Sequence, residues 1–231
     1  MSPSSGAEAR TALLAGATGL IGRALLPLLA DAGRYRRVEV LARRPLTHIA
    51  ANSPRVTVRV GDVAEAALAV PAIDDVYIAL GTTIKAAGSQ AAFRAVDLDL
   101  VVAIARAARS RGASGLAVVS ALGADAGSRV FYNRVKGEME AAVAALGYES
   151  VVIARPSLLL GDRAALGQPA RIGETLAARL FGPLRRLVPA GMRPIEATDV
   201  AHAMVDALTR ERRTGLRILA SAAMQRAAAE R

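Results

Sequence analysis

The stretch Thr11 to Gly22, TALLAGATGLIG, constrains the chain more than any other. The apolar run Ala12 to Ala15 feeds glycines at Gly16, Gly19 and Gly22 without a charged residue between. Such a run is too short for a helix and suits a buried parallel strand. From Ile21 the pattern turns helical, with Leu25, Leu28 and Leu29 at spacings of three and four. Strand, glycine turn and helix follow in the order a dinucleotide site requires. Gly16 is expected to supply the tight turn, Gly19 to clear space for a pyrophosphate, and Gly22 to let helix pack on strand. Gly16, Thr18, Gly19, Leu20, Ile21 and Gly22 then form a turn whose N–H groups face the phosphates. A secretory signal peptide is the competing reading, because Arg10 precedes the apolar run. The regular glycines and the amphipathic continuation through Arg23 and Asp31 argue against it.

A chain of 231 residues with mean hydropathy +0.32 can bury one substantial core and is not a disordered protein. Charged residues interrupt every apolar stretch before the ~18 residues needed to cross a bilayer, so no transmembrane span is expected. The absence of cysteine excludes disulfides and cysteine catalysis and is compatible with a reducing compartment. A soluble, cytoplasmic protein is the expectation. A formal charge of +10 invites a nucleic-acid reading. The arginines are scattered, however, and three Phe with no Trp offer few stacking platforms, so no specific nucleic-acid partner is expected. His48 and His202 stand far apart without clustered ligands, and no metal site is expected.

Met1 to Ala9, rich in Ser, Gly and Pro, reads as a disordered tail. Residues 10–231 read as a single NAD(P)-binding domain. Further strands are expected at Arg37–Ala42, Arg55–Val60, Asp75–Leu80, Leu116–Ser120 and Ser150–Ala154, with helices at Gln90–Arg111 and Arg129–Leu146. Pro27 is expected to kink or adjust the first helix, and Gly33 to stop it. This alternation implies an α/β fold: a Rossmann-like, doubly wound, mostly parallel sheet. From 156 to 194 glycine and proline recur around one expected helix near Gly173–Phe181, and this small irregular C-terminal segment is expected to cover the substrate. A helix near Asp199–Thr209, a strand at Leu216–Leu219 and a terminal helix complete the pattern. Leu176, Leu180, Phe181, Leu184 and Leu187, beside Arg179, Arg185 and Arg186, could alternatively form a membrane-surface patch, but Pro183 interrupts them and favours a lid.

The second decisive motif is Tyr132-Asn133-Arg134-Val135-Lys136, preceded by Ser120 at the end of the fifth strand. Tyr and Lys four apart share one helix face, so phenol and ammonium can converge on one ligand. An ammonium at roughly 4 Å, with an effective dielectric near 20, stabilises a phenolate by up to ~4 kcal/mol. An ordinary surface pair is the bland alternative. With four tyrosines and two lysines in the whole chain, the spacing rarely arises by chance.

Together, Gly16-Ala-Thr-Gly19-Leu-Ile-Gly22, Ser120 and Tyr132-x-x-x-Lys136 resemble the short-chain dehydrogenase/reductase superfamily. The run VVSALGADAGSRVFYNRVKGEMEA looks most like its atypical, Tat-interacting-protein-like branch, whose members bind NADP(H). The resemblance implies that Tyr132 exchanges a proton with the substrate oxygen, that Ser120 holds that oxygen, and that Lys136 binds the nicotinamide ribose. Hydride passes between nicotinamide and carbon. Where many members place an asparagine on the preceding long helix, this chain has Asp97. A carboxylate cannot donate the same hydrogen bonds, which puts a complete proton relay in question.

Cofactor choice follows from the tip of the second strand, Ala42-Arg43-Arg44-Pro45. Arginine there suits the 2′-phosphate of NADP, whereas a carboxylate would bind the ribose of NAD. NADP(H) is the expectation, with Arg43 and Arg44 as phosphate ligands. Asp62 is a candidate for the adenine amino group, and Leu80, Gly81 and Thr82 for the ribose beside the nicotinamide. Arg155, Pro156 and Ser157 resemble the family's strand-end segment near the carboxamide. The expected activity is NADP(H)-dependent reduction or oxidation of a small carbonyl or alcohol, with a weakly catalytic NADP(H)-binding regulatory or assembly protein as the alternative. A monomer and a homodimer are both open.

Overall fold

The computed structural model describes residues 10–31, 33–46, 53–160 and 189–231. Elements are numbered in chain order among these residues. The strands are β1 (Thr11–Ala15), β2 (Arg37–Ala42), β3 (Val56–Val60), β4 (Asp75–Ile78), β5 (Gly115–Val119), β6 (Ser150–Arg155), β7 (Leu159–Leu160), β8 (Ile195–Glu196) and β9 (Gly215–Ala220). The helices are α1 (Leu20–Ala30), α2 (Val63–Leu68), α3 (Ile84–Ala87), α4 (Gln90–Arg94), α5 (Val101–Ser110), α6 (Phe131–Ala144), α7 (Ala197–Thr209) and α8 (Ser221–Ala229).

Seven strands form one sheet in the order β3-β2-β1-β4-β5-β6-β9, and every pairing in it is parallel. This is the expected doubly wound Rossmann-like fold. Alternation along each strand feeds two cores, one on each face of the sheet. Ala12, Leu14, Tyr77, Ala117 and Val152 pack with α1 and α7. Leu13, Ala15, Val76, Ile78, Leu116 and Val151 pack on the other face with α2, α5 and α6. Strand order reverses between β1 and β4, which opens the crevice where such sheets bind ligands.

The element boundaries follow the sequence within a few residues, with informative differences. α1 runs uninterrupted through Pro27, which lies on its exposed face, where water can take up the carbonyl bond that proline cannot donate to. α2 was not anticipated; Asp62 caps it, accepting from the N–H groups of Ala64 and Glu65. The single helix expected over Gln90–Arg111 is three pieces. α4 and α5 are joined by a π-helical segment, Ala95–Leu100. This wider turn changes which residues face inward: Asp97 and Leu98 are buried, whereas Val96 and Leu100 are only partly so. The tail at 1–9, His48, the expected lid helix near 173–181 and the apolar-basic stretch 176–187 lie outside the described residues. Of the segment 156–194, residues 156–160 and 189–194 are described. They contribute β7 and the first residues leading to β8, which pair in parallel as a small second sheet.

At the amino-terminal edge of the sheet, opposite the glycine turn, Asp75 anchors a buried cluster with Tyr35, Tyr77, Arg10 and Arg212. Burial pushes the phenols of Tyr35 and Tyr77 up, and the neighbouring Asp75 charge pushes each further. Burial likewise raises Tyr148, whose hydroxyl donates to the Ala105 carbonyl at 2.6 Å. In each case the folded state holds its proton where the unfolded chain releases it, near pH ~10. The resulting stabilisation is therefore complete below that value and is lost as pH rises above it. Unfolding free energies from urea titrations between about pH 8 and about pH 11 are expected to stay level to pH ~9.5 and then fall steeply, by up to ~4 kcal/mol per pH unit for three phenols.

Candidate active site

The turn after β1 has the geometry a phosphate requires. Gly16 adopts φ +92°, and a Cβ there would lie 2.5 Å from the Ala79 carbonyl oxygen, so the turn is pressed against the end of β4. A Cβ on Gly22 would stand 2.0 Å from the Gly16 oxygen, which fixes the close approach of α1 to the turn. A Cβ on Gly19 would meet only ordinary contacts, at 3.5 and 3.8 Å, leaving the space in front of it open. Gly19 caps α1 with no side-chain hydrogen bond, and the first helical turn holds no acidic residue. Its N–H groups and partial positive charge are therefore available to an anion. Thr18 is exposed beside this turn, Leu20 is half-buried and Ile21 is buried.

The other expected cofactor residues rim the same carboxyl edge. Arg43 and Arg44 follow β2 directly and are exposed. Asp62 follows β3, and both N–H groups it accepts converge on Oδ1, leaving Oδ2 for a ligand. Leu80, Gly81 and Thr82 leave the end of β4, with Thr83 capping α3 through its hydroxyl. Pro156 is buried, and its carbonyl accepts from Leu122 N at 2.9 Å. The Arg155 side chain turns to α6 instead of the crevice: it pairs with Glu140 through two nitrogens, and this hydrogen-bonded carboxylate raises its affinity for its proton. Ser157 is held by the Arg193 carbonyl and by Ser221. The side chains of Arg155 and Ser157 are thus committed to other partners.

The catalytic candidates come from β5 and α6. The ladder between β5 and β6 continues past β5, with Ser120 N donating to the Ala154 oxygen at 2.7 Å, so Ser120 leaves the sheet at its carboxyl edge. Its hydroxyl is buried and has no hydrogen-bond partner among the described residues. Burying a hydroxyl unpaired costs about 1–3 kcal/mol, and a ligand oxygen would recover it. Tyr132 and Lys136 lie one turn apart on α6. A Cβ on Gly137 would overlap the backbone at Asp125 and Ala126, so this glycine lets α6 sit tight on the loop that follows Ser120. The Tyr132 ring stacks at 5.4 Å on Phe93 of α4, which also contacts Phe131 at 5.9 Å. Phe93, fully buried, supports the phenol.

Asp97 is placed differently from its sequence reading, which considered only what a carboxylate cannot donate. In the structure it is an acceptor. Its Oδ1 lies 2.7 Å from Lys136 Nζ, as an ion pair and not an aligned hydrogen bond, and Oδ2 accepts from Thr82 N at 2.9 Å. Both side chains are almost wholly buried, at 1% and 3% exposure. Gly81 passes directly over the pair, where a Cβ would be 3.5 Å from Asp97 Oδ1. Among the described residues, no cluster of His, Cys, Asp and Glu could hold a metal, and no helix is long and apolar enough to cross a membrane.

These features agree with what comparison with known proteins finds. The NAD(P)H-binding family profile matches residues 16–211. The chain is similar to "Protein FMP52, mitochondrial" of Eremothecium gossypii, with 42% identity over 66% of this chain and 67% of that protein. It is similar to "Protein HTATIP2" of Rattus norvegicus, with 34% identity over 76% and 72%. Its fold superposes on "MoeE5 in complex with UDP-glucose and NAD" with a TM-score of 0.64 and 18% identity, covering 91% of this chain and 76% of that one. The fungal relatives overturn the cytoplasmic expectation, because they are named mitochondrial. The lack of cysteine, and of a membrane-length apolar helix among the described residues, fits a mitochondrial compartment as well as the cytoplasm, and neither property carries an address. The chain belongs to the NAD(P)H-binding family, in the atypical, Tat-interacting-protein-like branch of the short-chain dehydrogenases/reductases.

Proposed function

We propose that the chain is an NADP(H)-dependent oxidoreductase acting on a small carbonyl or alcohol. The observation that carries this reading is the buried hydroxyl of Ser120, without a hydrogen-bond partner among the described residues, at the carboxyl edge of the sheet beside the helix bearing Tyr132 and Lys136. When bound, the nicotinamide supplies or takes the hydride. The glycine turn from Gly16 to Gly22 and the open N-terminus of α1 hold the pyrophosphate, and Arg43 and Arg44 hold the 2′-phosphate. Asp62 would meet the adenine, and the backbone of Leu80 to Thr82 and of Arg155 to Pro156 would flank the nicotinamide end. Ser120 donates to the substrate oxygen, Tyr132 exchanges the proton there, and Lys136 orients the ribose. A second reading, a cofactor-binding protein with weak turnover, draws on one specific observation: Lys136 is already engaged by Asp97. The names of the fungal relatives direct localisation tests of this chain to mitochondria.

The purified chain is expected to bind NADPH at least about tenfold more tightly than NADH, a difference of ~1.4 kcal/mol. Arg43→Ala with Arg44→Ala should erase most of that preference in a fluorescence titration. Adding members of a panel of aldehydes and ketones to the loaded protein should consume NADPH. Equal affinity for the two cofactors would reject the arginine assignment, and no turnover with any carbonyl would favour the second reading.

A further inference from the structure

The buried ion pair between Asp97 and Lys136 is set inside the proposed site, and the proton exchange assigned to Tyr132 does not require it. Lys136 is the one cation that the helix places a turn away from Tyr132, and its use there is to favour the phenolate electrostatically. Asp97 Oδ1 at 2.7 Å puts a compensating negative charge against that ammonium, where water is excluded and screening is weakest. The carboxylate is not free to swing away. Thr82 N holds Oδ2, the π-helical turn directs Asp97 inward, and Gly81 closes over the pair.

Among the described residues, the other charged groups on the surrounding elements have partners of their own or face solvent. On α6, Glu138 pairs with Arg94 of α4, and Glu140 with Arg155 of β6. Arg134 lies over the Phe131 ring and donates to the Ser128 carbonyl. In the loop after β5, Asp125 accepts from Gly127 N. Lys85 of α3 and Asp99 of the π-helical turn are exposed.

We infer that Asp97 is a positioning residue that neutralises Lys136 and thereby keeps Tyr132 protonated, which sets the site to give a proton and not to take one. The inference rests on the reading of Tyr132 as the proton-exchanging group. Its chemical consequence is direction. In carbonyl reduction a hydride from a C–H bond of the reduced nicotinamide would reach the carbonyl carbon, the C–O π bond breaks toward oxygen, and the Tyr132 O–H bond breaks as its proton moves to that oxygen. The phenolate left behind is reprotonated by water. A phenol that keeps its proton serves this direction; alcohol oxidation needs the phenolate at the start.

The chain offers a direct readout, because it contains four tyrosines and no tryptophan. Burial pushes the ionisation of Tyr35, Tyr77 and Tyr148 up. The tyrosinate absorbance that Tyr132→Phe removes from the ligand-free, folded protein identifies the Tyr132 transition. Asp97→Asn, which keeps the side-chain volume and an acceptor for Thr82 N, is expected to move this transition to lower pH by about one unit, a tenfold gain in phenolate at a given pH. With cofactor and substrate, the alcohol-oxidation pH profile should move the same way. Asp97→Ser offers the same charge removal with a smaller side chain if the asparagine variant folds poorly. A transition that stays in place in both folded variants would overturn the inference while leaving the proposed function intact. A transition that moves in a chain turning over no carbonyl would uphold the inference about charge and reject the proposed reaction.

Discussion

Asp75→Ala is expected to lower the stability of the chain by about 3 kcal/mol, the lower end of what breaking a buried ion pair costs, and to lower Tm by roughly 6–12 °C for a domain of this size. Asp75 opens β4 with no solvent exposure. Its Oδ2 accepts from Arg10 and, at 2.7 Å, from the Tyr35 hydroxyl, while Oδ1 accepts from Arg212 at 2.7 Å. Tyr35 and Tyr77 share a further bond at 2.8 Å, and Arg212 reaches the Ser114 hydroxyl at 2.7 Å. One carboxylate thus joins the residue before β1, the approach to β2, the start of β4, the turn into β5 and the segment between α7 and β9. Gly115 is built around it, since a Cβ there would stand 2.1 Å from Asp75 Oδ1. The loss is placed at the lower end because both arginine side chains are 25% exposed and can turn to water once the carboxylate is gone. Tyr35 cannot, and its hydroxyl keeps only Tyr77. Because the cluster lies at the edge opposite the glycine turn, NADPH affinity measured well below Tm should change less than about twofold. An unchanged Tm would show that the cluster contributes nothing net.

The order of elements and the glycine roles were legible because they are local properties. Period-two and period-three-to-four patterns mark faces, and φ at Gly16 or crowding at Gly22 follows from a few neighbouring residues. The spacing of Tyr132 and Lys136 was legible for the same reason. What the sequence concealed depends on register between distant segments. The Asp75 cluster joins positions as far apart as Arg10 and Arg212, and only the parallel strand order brings them together. The helix over 90–111 has one apolar stripe by its spacing, but the π-helical turn redirects it, and Asp97 enters the interior to meet Lys136. Burial of a carboxylate reads as a fault in sequence until its cation is seen. Arg155 shows the converse: its motif points to the cofactor, but Glu140, fifteen residues earlier on α6, captures its side chain.

Tyr132→Phe is expected to reduce the rate of carbonyl reduction by about 10²–10⁴-fold, the contribution of a well-placed general acid. The substitution removes one hydroxyl and leaves the ring. Phe93 packs against that ring at 5.4 Å and is itself fixed by burial and by Phe131, so the phenylalanine has the same seat. The α6 backbone is locked independently by Gly137 against Asp125 and Ala126. Cofactor affinity, which the proposed reading assigns to the glycine turn, the strand tips and Lys136, should therefore stay within about twofold, and the loss should appear in kcat and kcat/KM together. Ser120→Ala provides the companion test. Removing a donor to the substrate oxygen should cost about 10²–10³-fold, and since its hydroxyl has no partner among the described residues, deleting it should leave stability unchanged or slightly raised. The two losses should not multiply in the double variant, because in the proposed reaction Ser120 and Tyr132 serve one oxygen. Carbonyl reduction unchanged in Tyr132→Phe would remove the chemical role from this helix face. What would remain is the dinucleotide site at the turn from Gly16 to Gly22, with a buried Asp97–Lys136 pair serving only the fold.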